Sequence, residues 1–154
     1  MVKSYRHVKA IAQDDRNGCW SASMAWWTRA MHSVANWTDD EIMVEFSDYM
    51  GKNGGLAFPS GFRKMLEDPR WRMTVKHVAG PVETVKYVKA GLEKGPIMCG
   101  YFENAVGGYH AVALYGLDNG SIWAMDPNGG KHILRDYYHI FGSLQNPVIL
   151  GYQE

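Results

Sequence analysis

Asn17-Gly18-Cys19-Trp20-Ser21-Ala22-Ser23-Met24-Ala25-Trp26-Trp27-Thr28-Arg29-Ala30-Met31 is the stretch that decides how the chain is read. Trp20, Met24, Trp27, Met31 and Val34 recur at alternating steps of four and three, which lays an apolar stripe along one face and predicts a core helix from Cys19 to about Val34. Cys19 then stands at the helix N-terminus, where unpaired N–H groups and the positive end of the dipole favour thiolate over thiol. A lone cysteine is more commonly a small buried core residue, so position alone leaves two readings, nucleophile or packing.

Upstream, Tyr5 to Ala12 reads as a short strand or extended arm that delivers Gln13 into the polar loop Asp14-Asp15-Arg16-Asn17-Gly18. That loop can fold the Gln13 amide beside the thiol, where it and the Cys19 N–H would stabilise an oxyanion; a solvent-exposed glutamine is the alternative. Downstream, Thr38-Asp39-Asp40-Glu41 has the form of a capping box and starts a second helix, buried through Ile42, Phe46, Tyr49 and Met50 and ended by Gly51. Lys52-Asn53-Gly54-Gly55 is a loop, and Pro59-Ser60-Gly61 leads into a short helix near Phe62 to Glu67, closed by Pro69.

Beyond Pro69 the pattern changes to strands. Met73, Val75 and His77 alternate with polar residues, Val82 to Glu93 reads as a helix stopped by Gly95-Pro96, and Ile97 to Phe102 is an apolar strand. Tyr109 to Leu117 and Ser121 to Met125 form a hairpin around Asp118-Asn119-Gly120, followed by a turn at Asp126-Pro127-Asn128-Gly129-Gly130. Lys131 to Leu134 is a further candidate strand, Asp136 a candidate helix cap, and Pro147 to Gln153 a closing strand. The expected fold class is α+β, a helical half packed on a mostly antiparallel sheet half with a cleft between, in a single domain over residues 1–154.

His110 opens an apolar strand directly after the flexible Gly107-Gly108-Tyr109, which suits a general base serving Cys19; a strand histidine satisfied by a neighbour is the bland reading. Asp126 is the acid that follows on the partner strand. With a three-residue loop of Asp118, Asn119 and Gly120, Leu117 faces Ser121, His110 falls opposite Asn128, and Asp126 lies diagonally from His110 on one face, where it could hold the imidazole tautomer. A two-residue turn on Asn119-Gly120 flips the parity and separates them. Asp126-Pro127 is also a simple turn starter. Trp26 and Trp27 read mainly as core, and Cys99 as buried and inert; both cysteines are expected to be free thiols.

Composition narrows the function classes. With 46% apolar residues a real core is available, and equal totals of 16 basic and 16 acidic residues give no global field toward nucleic acid or an anionic membrane. No signal peptide or membrane span is legible, so the chain is expected to be cytoplasmic or exported by a signal-independent route. No ligand-spaced Cys or His pair and no phosphate loop indicate a metal or cofactor.

Taken together, Gln13, then Asn17-Gly18-Cys19-Trp20-Ser21-Ala22, then Tyr109-His110-Ala111-Val112 with Tyr115-Gly116, then Asp126-Pro127-Asn128-Gly129, resemble the papain-like cysteine peptidases. The nearest branches by motif are the bacteriocin-processing peptidase domains of ABC exporters and short effector peptidases with a Cys-Trp-Ala-Ala motif, from which Ser21 departs. The resemblance implies a protease acting on a protein or peptide substrate, with Cys19 as nucleophile, His110 as base, Asp126 as its orienter and Gln13 as oxyanion donor. By analogy it also implies a bacterial toxin or effector setting with a cognate immunity or inhibitor protein. No inhibitory pro-segment is expected before Gln13. Amidase, deamidase or acyltransferase chemistry would use the same residues, and a non-catalytic papain-like binding module is the competing class.

Overall fold

A computed structural model describes residues 5–14, 17–51, 55–104, 107–142 and 146–154. The loop positions Asp15, Arg16, Lys52, Asn53 and Gly54 lie outside the described residues. The first helix, α1, runs Cys19–Ala30 and is buried at Trp20 through Thr28 and again at Ala30, so the apolar stripe understates it: the helix is enclosed on nearly every side. Its hydroxyls are satisfied inside that environment, as buried polar groups require. Ser23 Oγ donates to Ala111 O at 2.9 Å and Thr28 Oγ1 to Ala25 O at 2.7 Å. The helix stops short of Val34. Met31 is extended, and Thr28 Oγ1 accepts the Trp37 N–H at 3.0 Å, which turns the chain back across the end of α1.

Thr38 starts α2, Asp39–Glu45, by the capping box read from the sequence: Glu41 N donates to Thr38 Oγ1 at 3.1 Å and Thr38 N to Glu41 Oε1 at 2.9 Å. Such a cap stabilises a helix start by about 1 kcal/mol. The helix ends at Phe46, earlier than Gly51, and a 3₁₀ turn over Ser47–Tyr49 follows. Next come α3, Ser60–Leu66; β1, Met73–Val78; and α4, Pro81–Leu92. The sheet is completed by β2, Ile97–Glu103; β3, Gly108–Asp118; β4, Ser121–Asp126; β5, Lys131–Asp136; and β6, Val148–Gln153. The short helix α5, Tyr137–Phe141, is capped by Asp136, whose carboxylate accepts the Tyr138 N–H at 2.8 Å.

The six strands form one antiparallel sheet in the order β1-β6-β2-β3-β4-β5. Each face carries its own apolar cluster. One packs Trp20, Trp26, Trp27 and the other helical-half residues against Ala111, Ala113 and Tyr115. The opposite face packs Val88 of α4 and Phe141 of α5 against Tyr101, Val112 and Leu114.

The hairpin between β3 and β4 corrects the three-residue loop. Asp118 pairs with Ser121 across a two-residue turn, and Asn119 and Gly120 have φ of 46° and 84°, the positive pair that a tight primed turn requires. Alone, that turn would put His110 and Asp126 on opposite faces. The parity is restored by a β-bulge: Leu114 pairs with Ala124 but Gly116 with Trp123, so Tyr115 is the extra residue. Tyr115 is 2% exposed, its ring is tilted on Trp26 at 5.8 Å and stacked on Trp123 at 6.4 Å, and its hydroxyl meets His132 Nδ1 at 3.0 Å. The bulge is thus held by residues from α1, β4 and β5.

Candidate active site

Cys19 is the first residue of α1, after Gly18, which supplies no capping side chain, and no acid stands in the first turn. The positive end of the helix therefore has no competing anion on its own turn. Ser21, one step further along, donates to Gly18 O at 3.2 Å and to Asp39 Oδ1 at the start of α2, pinning the helix end.

His110 and Asp126 come from the neighbouring strands β3 and β4. Continuing the Ala113–Met125 register from the bulge sets Val112 against Asp126, so His110 and Asp126 are diagonal neighbours on one face. His110 Nε2 donates to Asp126 Oδ1 at 2.8 Å, and both side chains are buried, 7% and 8% exposed. The same oxygen accepts the Asn128 N–H at 2.9 Å. Because Asp126 occupies Nε2, Nδ1 is the nitrogen left to meet a thiol, and in the neutral ring it is an acceptor.

The electrostatics join the three groups. Burial disfavours the imidazolium, but hydrogen bonds with Asp126 and Cys19 and the charges of both outweigh it, and His110 is pushed up to about 9. Burial also works against the Asp126 carboxylate, yet the hydrogen bond and charge of His110, the Asn128 N–H and the charge of Lys131 hold it below the usual carboxylate range. Cys19 is half-buried and unbonded to Cys99, which lies fully inside the sheet with its thiol pushed up by burial.

Gln13 reaches the site on an arm rather than a strand. Its N–H donates to Pro127 O at 2.9 Å, in the turn just after Asp126. Gly130, at φ +61°, lets the arm close on that turn, since a Cβ there would stand 2.8 Å from Ala12 N. Further back, His132 Nε2 and Trp26 Nε1 both donate to Val8 O, at 3.0 and 3.2 Å.

Gln13, Cys19, His110 and Asn128 line one cleft of about 850 Å³. Leu56, Phe58, Phe62 and Tyr109 give it an apolar wall, in which Phe58 and Tyr109 are stacked with centroids 3.6 Å apart. Phe62 and Tyr109 are legible in the sequence only as parts of a helix and a strand, and none of the four is marked there as a cleft wall. Their only local signal is the Phe58-Pro59 turn and the Tyr beside His110, and neither shows that the two rings meet. Trp26 and Trp27 are wholly buried and do not line the cleft; Trp20 does.

The antiparallel sheet, the enclosed helix beginning at Cys19 and the cleft between the two halves define the papain-like α+β fold. Among solved structures the chain is similar to the peptidase domain of Streptococcus ComA, a bi-functional ABC transporter involved in a quorum-sensing pathway. That match has a TM-score of 0.67 and 16% identity and covers 96% of this chain and 100% of that one. A double glycine motif protease from an AMS/PCAT transporter, in complex with its leader peptide, matches at 0.57 and 16%, over 94% and 91%. A C39-like peptidase candidate from Bacillus anthracis matches at 0.60 and 11%, over 100% and 98%. At these identities the likeness is one of fold. No protein-family model matches the chain, and no curated protein matches it.

Proposed function

We propose that the chain is a cysteine peptidase that hydrolyses peptide bonds by acyl transfer through Cys19, His110 and Asp126. The observation that carries this reading is the buried 2.8 Å bond from His110 Nε2 to Asp126, with Cys19 lining the same open cleft as His110. His110 Nδ1 takes the thiol proton, the Cys19 sulfur attacks the substrate carbonyl carbon, and the C–N bond breaks. His110 gives its Nδ1 proton to the leaving amine, then takes one from the water that resolves the thioester. Asp126 fixes the tautomer and supports the imidazolium. The Gln13 amide and the Cys19 N–H stabilise the oxyanion, a role supported by the docking of the Gln13 backbone against the turn after Asp126.

A peptide substrate is favoured by the cleft's open apolar wall of Leu56, Phe58, Phe62 and Tyr109 and by the similar protease that holds a leader peptide. The same residues would serve a deamidase or acyltransferase, and the mass change separates them. Incubated with a mixture of defined peptides, the protein is expected to yield paired fragments that sum to substrate plus water, and Cys19→Ala none. A gain of about one mass unit on intact peptides would mean deamidation instead. Action as an effector on a protein of a neighbouring cell, with a partner protein closing the cleft, is the setting that the motif resemblance supports. Co-expression with an inhibitory partner would restore growth that the wild type but not Cys19→Ala suppresses.

A further inference from the structure

Directly beneath His110 lies a polar cluster that the acyl-transfer scheme does not use. Tyr101 on β2 is paired with His110 on β3, and its ring meets the imidazole edge-on, centroids 5.9 Å apart at 76°. Tyr101 is 3% exposed. Its hydroxyl donates to Glu103 Oε2 at 2.8 Å, and the same oxygen accepts His139 Nε2–H at 2.8 Å from α5. Burial, then the Glu103 hydrogen bond and charge, drive the Tyr101 phenol far above its ordinary range, so it stays a donor.

Glu103 is itself 7% exposed. A buried carboxylate is poor evidence for stability, because well-packed apolar side chains of similar volume serve a core as well or better. Its geometry suggests another use. Asp126 fixes Nε2 of His110, but one hydrogen bond leaves the ring free to tilt about that contact, and the tilt decides where Nδ1 points. A tyrosine ring packed edge-on removes that freedom, provided the tyrosine cannot itself turn away.

We propose that Tyr101 is a positioning residue for Cys19 chemistry: its ring fixes the plane of His110, and Glu103 with His139 locks the tyrosine in place. This rests on the peptidase reading above.

The test is the pH dependence of Cys19 alkylation by iodoacetamide, followed by intact mass, with a thermal melt on each variant. Tyr101→Phe and Glu103→Leu, which free the ring without emptying the site, are expected to slow alkylation at pH 6.5 by about tenfold, while the rate near pH 10 stays at the wild-type value. Glu103→Gln, whose amide oxygen can accept both bonds, is expected to stay within about threefold of wild type. Wild-type profiles in folded Tyr101→Phe and Glu103→Leu proteins would overturn the proposal. So would rates that fall equally at every pH in step with lost folding, which is the mark of a merely structural cluster. Wild-type Cys19 that alkylates no faster than free cysteine overturns the peptidase reading itself, and is told apart because it needs no variant.

Discussion

At the scale of single residues, the two nitrogens of His110 have separate duties. Nε2 is committed to Asp126 at 2.8 Å, which leaves Nδ1 as the acceptor that the proposed reaction requires toward Cys19. Asp126→Asn can present its amide N–H to Nε2, which forces the proton onto Nδ1 and removes the base. Peptide cleavage is expected to fall by about 100-fold or more with folding intact, as measured by initial rates and a melt. The charge balance sets a pH window as well. His110 folds with its pKa raised to about 9, above the roughly 6.5 of an unfolded imidazole. Its contribution to stability is therefore fully present below about pH 6.5 and is lost as the pH rises through about 9. The Asp126 value is lowered from 3.8, so its contribution is present above that pH and is lost as the pH falls through the folded value. Urea midpoints of wild type and His110→Gln are expected to converge between pH 6.5 and 9; a difference that persists above pH 10 would contradict the ion pairing.

At the scale of elements, the site depends on a compensation between a turn and a bulge. Asn119-Gly120 makes the tight turn that separates His110 from Asp126, and Tyr115 inserts the residue that reunites them. The hairpin was legible, because Asp118-Asn119-Gly120 between apolar runs admits little else. The bulge was not, because what holds it is Trp26 of α1, Trp123 of β4 and His132 of β5, none local to Tyr115. The diagonal placement of Asp126 was thus anticipated from a turn that the structure does not have. Similarly, the apolar period of α1 continues past Met31, yet a side chain to backbone bond between Thr28 and Trp37 ends the helix first. The capping box at Thr38 and the cap at Asp136 were readable because each is closed within a few residues. The arm that carries Gln13 gives a prediction of its own. Gly130→Ala places a Cβ 2.8 Å from Ala12 N at a positive φ, so a stability loss of about 1–2 kcal/mol is expected. If the Gln13 amide serves the oxyanion, kcat falls further than KM changes, which steady-state kinetics would resolve.

Across the whole molecule, the thiol and the imidazole approach from different layers. Cys19 arrives on α1 with the helical half, whereas His110 shares the other sheet face with Tyr101 and Val112, and both line the cleft that opens beside the start of β3. The α+β division into halves was legible from the change of periodicity near Pro69. The strand order was not, since β6 is inserted between β1 and β2 by pairings that join the chain's last strand to its middle. Burial separates the two cysteines in the same way: Cys99 is fully enclosed and its thiol raised, so the native protein is expected to take up one alkyl group, with a second only after denaturation. Peptide mapping would place the first on Cys19.

The most direct measurement is the rate of that first alkylation at pH 6.5 in wild type and His110→Ala, set beside free cysteine. Cys19 activated by His110 reacts at least about tenfold faster than free cysteine, and His110→Ala erases the excess. Equal rates in all three would mean that the imidazole does nothing for the thiol.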